Sequence, residues 1–385
     1  MGQSWATLRH VGHLRINCKG AQFRRLRPRN RCQSMIRQAL IQRIRRADVV
    51  AGNSLSRHTL FSLACILLAL AAACGGGGGN EEVSACNLHE QLCDRSLNEV
   101  AFATTHNSMS NLPDRWIDAT QSSGITAQLE AGIRGFQLDS YYGIKVGPTV
   151  LTSVEVRTAK MTEELSDSAI REAEQLVAGA GRVAPRGGGE TYLCHGNCEL
   201  GATPMVRALN EFTRFLGDNP NEVIIIFIED YITAEDTAAA FEESGLMDYV
   251  YTYEGGEWPR LREMIQNGTR VLVMSEHGGG EPAWYHSGFE LTQETPYRFE
   301  TVDDMRSDTS CAPNRGGPDS PLFQLNHFIS PADSDTSASA NEFQFLLDRA
   351  LACKRERGLV PNLVAVNFWE EGSVVDVVDE INGVR

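Results

Sequence analysis

Short apolar runs alternate with amphipathic segments along the chain from about residue 93 onward. The runs are rich in β-prone residues, as buried strands are; they cover 99–105, 135–141, 191–196, 222–230, 270–276, 321–328 and 363–369. The segments between them carry apolar residues three and four positions apart, which predicts helices; they cover 166–180, 203–220, 233–245 and 341–358. This alternation predicts a mostly parallel α/β sheet, and about eight units predict a closed (β/α)8 barrel. An open doubly wound sheet is the alternative, weakened because no GxGxxG follows a strand.

Polar side chains gather where the apolar runs end. His106 and Asn107 follow the first run, and His195 lies at the end of the third. The other polar residues late in the runs are Gln137, Asp139, Glu229, Asp230, Asn326, His327 and Asn367. Carboxyl ends of barrel strands meet at one mouth, where enzymes of this architecture have their active sites. We therefore expect these side chains to share one pocket.

Two histidines in one pocket suit attack at phosphorus. One histidine can take a proton from a hydroxyl while the other gives a proton to the leaving oxygen, each worth roughly 10²- to 10⁴-fold in rate. Both protonation states of histidine are accessible near neutral pH. The oxygen ligands Asn107, Asp139 and Glu229 suit a hard cation such as Ca²⁺, which would neutralise phosphate oxygens.

Structural roles are open for several of these residues. Asp139 could cap a helix or pair with Arg134, and Glu229 with Asp230 could cap the helix that follows Tyr231. His327 is predicted either to be structural or to support the site from behind.

The amino-terminal region predicts export. Residues 1–56 form a basic upstream segment that we do not expect in the mature protein, and 57–74 have a basic start, an apolar run of about fifteen residues and small residues before Cys74. This pattern resembles a bacterial lipoprotein signal, in which Cys74 would be lipidated. Residues 75–92 are then a Gly-rich tether and 93–385 the barrel. The alternatives are a nucleic-acid arm or transit peptide for the basic segment, and a buried helix for the apolar one.

Charge limits the possible partners. Residues 59–385 hold 22 Lys or Arg and 49 Asp or Glu. A strongly acidic body argues against a nucleic-acid partner, because phosphate binding needs a basic surface. No heptads or large apolar stripe suggest an oligomer, so we expect a monomer.

Six cysteines remain beyond the predicted signal, and an even number fits an oxidising compartment. Six cysteines allow fifteen pairings. We expect Cys86 with Cys93 and Cys194 with Cys198, which are close in sequence, and Cys311 with Cys353. A zinc site built on Cys194, His195 and Cys198 is the alternative, although it lacks a second ligand pair.

Several motifs resemble those of the phosphatidylinositol-specific phospholipase C family in its X-domain form. They are TTHNS at 104–108, GIRGFQLDSYYG at 132–143, YLCHG at 192–196, FLGDNPNEVIIIFIEDY at 215–231 and LVAVNFWEEG at 363–372. They occur in family order, from about residue 93 to the end. The resemblance implies a distorted TIM barrel that cleaves the phosphodiester of phosphatidylinositol-like lipids at a membrane surface, giving diacylglycerol and a (cyclic) inositol phosphate.

The resemblance also implies roles for single residues. His106 matches the first catalytic histidine and His195 the general acid, while Asn107, Asp139 and Glu229 match Ca²⁺ ligands. Two positions depart from the family. Gln137 replaces a ligand Glu and would weaken cation binding, whereas Asn367 replaces an Asp that orients the first histidine. We expect Arg134, Asn326, His327 and Asn367 to contact the substrate or support the catalytic residues.

Two other functions stay open at this point. One is a glycerophosphodiester or sphingomyelin phosphodiesterase on a related barrel. The other is a non-catalytic surface barrel that binds inositol or a glycan, which the neutral residues Gln137 and Asn367 favour.

Overall fold

The computed structural model describes residues 83–152 and 190–385. The predicted basic segment 1–56, the signal 57–74 with Cys74 and the predicted helix 166–180 lie outside these ranges, and so do residues 75–82 of the tether. The helices are α1 Ile125–Glu130, α2 Met205–Asp218, α3 Ala234–Ser244, α4 Leu261–Asn267, α5 Gly288–Leu291, α6 Ser334–Ala340, α7 Phe343–Arg357 and α8 Val374–Asn382. The helices predicted over 203–220, 233–245 and 341–358 are confirmed as α2, α3 and α7.

The twelve described strands belong to one sheet. They are β1 Phe102–Thr105, β2 Gly135–Val146, β3 Thr149–Thr152, β4 Glu190–Leu193, β5 Thr203–Pro204, β6 Ile224–Asp230, β7 Val250–Tyr251, β8 Val271–Ser275, β9 Tyr285–Ser287, β10 Thr292–Glu294, β11 Leu322–Asn326 and β12 Leu363–Val366. Five of them were not predicted as strands, because β3, β5, β7, β9 and β10 have only two to four residues each and carry little periodic signal.

The main path of the sheet is parallel and runs β10-β11-β12-β1-β2-β6-β8, with β7 and β9 both paired to the far edge of β8. The first and last strands along the chain are direct neighbours, since Thr104 of β1 is in register with Ala365 of β12. Among the described strands no ladder joins β9 to β10. The fold is therefore a distorted TIM-type barrel, which confirms the predicted α/β class and corrects the expectation of full closure.

One predicted barrel strand is wrong in its pairing. Residues 191–196 were expected to continue the parallel sheet, but β4 runs antiparallel to the outer half of β2, with Tyr192 opposite Tyr141. The reason is the length of β2. Its twelve residues extend beyond the barrel, and β3 and β4 pair with this extension. This antiparallel excursion returns the chain to the mouth just before His195.

Side chains alternate between two apolar layers along the barrel strands. In β6, Ile224, Ile226 and Ile228 pack with the layer that contains the helical residues Phe212 and Phe241. The intervening residues of β6 pack with a second layer, which includes strand residues of β1, β8 and β12. Continuous apolar runs buried on both faces are expected for a parallel sheet covered by helices.

The second apolar layer is closed by the segment that precedes β1. Cys86, Leu92 and Leu97 are buried in that layer. The tether predicted over 75–92 is therefore wrong for its described end, because residues from Val83 onward pack against the barrel. The sequence pattern missed this because so short a segment has no periodicity.

All three expected disulfides are present. Cys86 pairs with Cys93, Cys194 with Cys198, and Cys311 with Cys353. Cys194 and Cys198 therefore cannot serve as thiolate ligands, which removes the alternative zinc site. In the described ranges, no helix is both long and apolar enough to cross a membrane.

Candidate active site

A cavity of about 580 Å³ opens at the carboxyl ends of the strands. Eight of the predicted site residues line it: His106, Asn107, Gln137, Asp139, His195, Glu229, Asn326 and Asn367. The predicted gathering of these side chains in one pocket therefore agrees with the structure. Their chemical roles remain predictions at this stage.

His106 is held in a defined orientation on one wall of the cavity. Its backbone N–H donates to the Val366 carbonyl at 2.9 Å, which continues the β1–β12 ladder. Its ring stacks on Phe328 with the centroids 3.7 Å apart and the planes 2° from parallel. The ring atom Nδ1 lies 2.9 Å from Oδ1 of Asn367.

The partner of His106 fixes its tautomer. The amide Nδ2 of Asn367 donates to the Ile329 carbonyl at 3.3 Å, which leaves Oδ1 to accept from His106. Nδ1 of His106 then carries the hydrogen, and Nε2 keeps its lone pair. Burial lowers the pKa of His106 to about 3, against the raising effect of the Asn367 hydrogen bond. His106 is therefore a neutral imidazole with one free acceptor, as a general base requires.

The turn after His106 is fixed by backbone and side-chain bonds. Asn107 has a left-handed backbone with φ of 46°, which asparagine tolerates better than most residues. The next amide, of Ser108, donates to the Gln137 carbonyl at 2.8 Å. Gln121 Nε2 donates to the His106 carbonyl at 2.8 Å. These bonds explain why the chain places polar residues directly after β1.

His195 lies on the opposite wall, in the short loop that the Cys194–Cys198 disulfide closes. Its ring faces His106 edge-on, with the centroids 6.5 Å apart and the planes at 79°. Its Nδ1 lies 3.5 Å from a carboxylate oxygen of Asp118. Asp118 also lines the cavity, and the sequence reading did not single it out.

Four side chains with oxygen atoms line the cavity between the walls that carry the two histidines: Asn107, Gln137, Asp139 and Glu229. Asp139 of β2 is in direct register with Glu229 of β6, and Glu229 accepts from the Tyr231 hydroxyl at 2.6 Å. Oε1 of Gln137 is buried and has no hydrogen-bond partner among the described residues. Burial and the charges of Asp139 and Glu229 raise the pKa of the neighbouring Tyr141, so its phenol stays protonated.

The ligand atoms that these four side chains offer are oxygens, which a hard cation prefers. In residues 83–152 and 190–385, no three His, Cys, Asp or Glu side chains are grouped as a metal site. A cation here would therefore bind two carboxylates, Asp139 and Glu229, together with the amide oxygens of Asn107 and Gln137. Such mixed carboxylate and amide oxygen sets suit Ca²⁺, and the unpartnered Gln137 oxygen is an available ligand.

An ion network on the far wall was missed by the sequence reading. The Arg315 guanidinium pairs with both Glu276 and Glu294. Burial and the charge of Glu229 raise the pKa of Glu276 to about 7, which Arg315 opposes. Glu276 ends the predicted strand 270–276, so its position was a usable signal. Glu294 and Arg315 gave none, because β10 has only three residues and Arg315 lies on a loop.

Three of the predicted residues lie outside the cavity. Asp230, the last residue of β6, accepts from the Ser275 hydroxyl at 3.0 Å and from the His277 N–H at 2.8 Å. Arg134 precedes β2 and forms a buried ion pair with Glu222 at 2.7 Å, so it faces the amino end of the barrel and pairs neither with Asp139 nor with a substrate in the cavity. His327 follows β11 but is fully buried; its Nε2 lies 2.7 Å from the Ala340 carbonyl and its Nδ1 3.1 Å from Arg349. The contacts of Arg134 and His327 are thus made within the fold and away from the cavity. For His327 the reason is direction, since a residue one position past a strand faces away from the mouth as readily as toward it. Arg134 lies before its strand, at the opposite end of the barrel.

The comparison with known families identifies the chain. The PI-PLC X family profile matches residues 170–382, more than half of the sequence. The chain belongs to the PI-PLC X family. The match includes His195 and begins after His106. The assignment of His106 to the site therefore rests on its sequence motif and on its position in the fold.

Similar proteins occur in plants and fungi. A PI-PLC X domain-containing protein of Arabidopsis thaliana is 26% identical over 315 residues, covering 74% of this chain and 62% of that protein. A secreted protein of Arthroderma benhamiae is 24% identical and covers 78% and 64%. PI-PLC X domain-containing protein 1 of the same fungus is 24% identical and covers 78% and 90%. The chain thus spans about three fifths of the first two relatives.

Solved structures of a phosphatidylinositol-specific phospholipase C from Staphylococcus aureus are also similar. One has 13% sequence identity and a TM-score of 0.45, and the similarity covers 74% of this chain and 94% of that protein. A second has the same identity and a TM-score of 0.43.

Proposed function

We propose that this protein is a phosphodiesterase that cleaves phosphatidylinositol-like lipids to diacylglycerol and an inositol phosphate, cyclic at first. The observation that carries the proposal is the pair of histidines on opposite walls of one cavity, 6.5 Å apart. A phosphoryl group fits between two such rings, with its attacking oxygen at one ring and its leaving oxygen at the other. Family membership supports the same chemistry.

His106 acts as the base. Its Nε2 accepts the proton of the inositol 2-hydroxyl, and the freed oxygen attacks phosphorus. The bond between phosphorus and the glycerol oxygen breaks, and protonated His195 gives its Nε2 hydrogen to that oxygen, which leaves as diacylglycerol. The neutral state of His106, favoured by its burial, is the state that can accept a proton. Each proton transfer contributes roughly 10²- to 10⁴-fold to the rate.

A bound Ca²⁺ would be held by Asn107, Gln137, Asp139 and Glu229, and would neutralise charge on the phosphoryl oxygens. Electrostatics support this part of the proposal. Asp139 and Glu229 adjoin each other on neighbouring strands, and two carboxylates would repel a phosphodiester approaching the cavity without a cation.

Exposed apolar side chains near the mouth support a membrane-surface substrate. Ile117 is 78% exposed and Leu112 56% exposed, and both lie on the loop that carries Asp118. The Ile117 N–H donates to the carbonyl of Leu200, a third exposed apolar residue beside the His195 loop. Together with the predicted lipidation of Cys74, they fit a monomeric, exported protein that works at a lipid surface, either anchored to the cell envelope or secreted.

A second candidate function follows from the partner of His106. Asn367 offers a neutral amide where a carboxylate would stabilise the protonated ring. A non-catalytic barrel that binds inositol or a glycan needs no such stabilisation.

The test is ³¹P NMR of vesicles of phosphatidylinositol incubated with the protein, with added calcium and then with chelator. We expect the lipid signal to decay and that of a cyclic inositol phosphate to appear, and chelator to abolish the decay. Decay that resists chelator would retain the two-histidine mechanism and exclude the cation. Phosphatidylinositol bound by the protein and unchanged, with no decay in either condition, would support the binding barrel instead.

A further inference from the structure

The carboxylate of Asp118 lies against the second histidine of the site. Its Oδ2 is 3.5 Å from Nδ1 of His195, and both side chains line the cavity while remaining partly exposed. Hydrogen bonds at catalytic groups are often long before a substrate binds and shorten in the complex. The pair lies at ion-pair distance, from which the carboxylate can accept a hydrogen bond from Nδ1 once the contact shortens.

The loop that carries Asp118 is fastened to the loop that carries His195. Ile117, the residue before Asp118, donates its backbone N–H to the Leu200 carbonyl at 2.7 Å. Trp116 is buried directly beneath Gly201, where a Cβ atom would lie only 2.3 Å from the indole. Two contacts therefore hold the two loops together beside the carboxylate–imidazole pair.

Each loop is also fixed on its own side. The Asp118 carbonyl accepts from the Ser110 hydroxyl at 2.6 Å. The His195 loop is closed by its disulfide, and the Cys198 N–H donates to the Thr152 hydroxyl at 2.8 Å. An ordinary surface ion pair joins two long side chains on independent backbones and contributes little. Here both backbones are held in place, so little conformational freedom is lost when the side chains meet.

We propose that Asp118 is a positioning residue for His195, accepting a hydrogen bond from Nδ1 and so presenting Nε2 to the cavity. This inference rests on the proposed function and names the group that prepares the histidine on the leaving-group side. The partner comes from a loop twelve residues beyond His106, which no sequence motif of the chain marks. It also makes the two walls different, with an amide partner for His106 and a carboxylate partner for His195.

The test compares Asp118→Ala and Asp118→Asn with the unaltered protein. The matched control is Asp114→Asn, on the same loop, whose carboxylate pairs with Arg207 at 2.9 Å instead of a histidine. Long-range ¹H–¹⁵N spectra of the imidazole report which nitrogen of His195 carries the hydrogen, without any need for turnover. Turnover of phosphatidylinositol vesicles then gives kcat and KM separately.

We expect the neutral form of His195 to carry its hydrogen on Nδ1 in the unaltered protein and in the control, and to lose this preference in Asp118→Ala. We expect kcat of Asp118→Ala to fall by about 10- to 100-fold, as it does when an orienting partner of histidine is removed elsewhere, with KM little changed. Asp118→Asn keeps an acceptor oxygen. We expect it to retain part of the Nδ1 preference and to have a kcat between those of Asp118→Ala and the unaltered protein.

An unchanged nitrogen pattern in Asp118→Ala would overturn the proposal, whatever the turnover. A changed pattern in a protein that never cleaves phosphatidylinositol would confirm the positioning contact and contradict the phosphodiesterase function instead. A fall in kcat in both the control and the Asp118 variants would mean that the loop matters and the carboxylate of Asp118 does not, which also overturns the proposal.

Discussion

The two ends of the barrel use polar residues in opposite ways. At the amino end, Arg134 pairs with Glu222 in the core and also donates to the Leu129 and Ile133 carbonyls. At the carboxyl end, Nδ2 of Asn107 and Oε1 of Gln137 are buried beside the cavity without hydrogen-bond partners among the described residues. Buried polar groups left in this way cost stability.

The two ends therefore differ in how many of their buried polar groups are left for a ligand. Groups at the amino end are satisfied by the protein itself, so they stabilise the fold. At the carboxyl end, Nδ2 of Asn107 and Oε1 of Gln137 have no such partner among the described residues, so they are available to a ligand. The same division between a stability face and an active face is general in barrels of this type.

Breaking the amino-end pair should give the largest effect on stability and none on chemistry. Arg134→Ala leaves Glu222 buried without its cation, and removing one partner of a buried pair typically costs about 3–5 kcal/mol. We expect the free energy of unfolding to fall by that amount in urea denaturation, while KM and kcat at a temperature below the transition stay unchanged. The control is Arg214→Ala on the exposed face of α2, expected within about 0.5 kcal/mol of the original. A change in kcat for folded Arg134→Ala would contradict the division between the two ends.

His327 sharpens the comparison, because it lies near the carboxyl end but faces away from the cavity. Burial, aided by the charge of Arg349, lowers the pKa of His327 to about 3. The unfolded chain therefore binds a proton at this residue from about pH 6.5 downward, whereas the folded protein does not until about pH 3. Its contribution to stability is complete above pH 6.5 and is lost as pH falls, by about 1.4 kcal/mol per pH unit.

His327→Gln removes this contribution. We expect the unfolding free energy of the unaltered protein minus that of His327→Gln to decrease by about 1.4 kcal/mol for each pH unit below pH 6.5. His106 and Glu276 titrate in both proteins, so taking the difference cancels them. Urea denaturation at pH 7, 6, 5 and 4 measures the gap. A gap that stays constant with pH would show that His327 is not held neutral by the fold.

A smaller effect is expected from replacing Asn367, the hydrogen-bond partner of His106. Asn367→Asp replaces the amide beside Nδ1 with a carboxylate, which stabilises the protonated ring. We expect the pKa of His106 to rise from about 3 by about one unit or more, and the acidic limb of the kcat/KM profile to move to higher pH. The histidine NMR titration measures the first and a pH series of vesicle turnover the second. Asn210→Asp on α2 is the control, and an unmoved His106 pKa in Asn367→Asp would remove Asn367 as the partner that governs this ring.

Much of the fold and site was predictable because strand ends carry a direct signal. A buried parallel strand that stops at His-Asn, or at Glu-Asp, places those residues at the mouth, and this correctly located His106 and Glu229. The same logic failed for Arg134, which precedes its strand, and for His327, whose side chain points outward. The antiparallel pairing of β4 was also hidden, since periodicity reveals a strand but not its neighbour.

Other site residues depend on contacts that no local pattern encodes. Phe328 stacks on His106 only because β11 and β1 are both neighbours of β12 in the sheet. Asp118 reaches His195 only because two loops are fastened side by side. Arg315 joins Glu276 and Glu294 from a loop without regular structure. Sequence reading therefore located the residues at strand ends and missed those brought in by loops.

The central claim is that His106 and His195 together cleave the phosphodiester. The most direct test is turnover of phosphatidylinositol vesicles by the protein, by His106→Ala, by His195→Ala and by the double variant. The control is His89→Ala, whose ring pairs with Asp379 at 3.2 Å on the surface. We predict that each single variant loses roughly 10²- to 10⁴-fold in kcat/KM, that the double variant loses less than the product of the two because the residues act as a unit, and that the control is unaffected. Lipid cleavage that survives in the double variant would contradict the account.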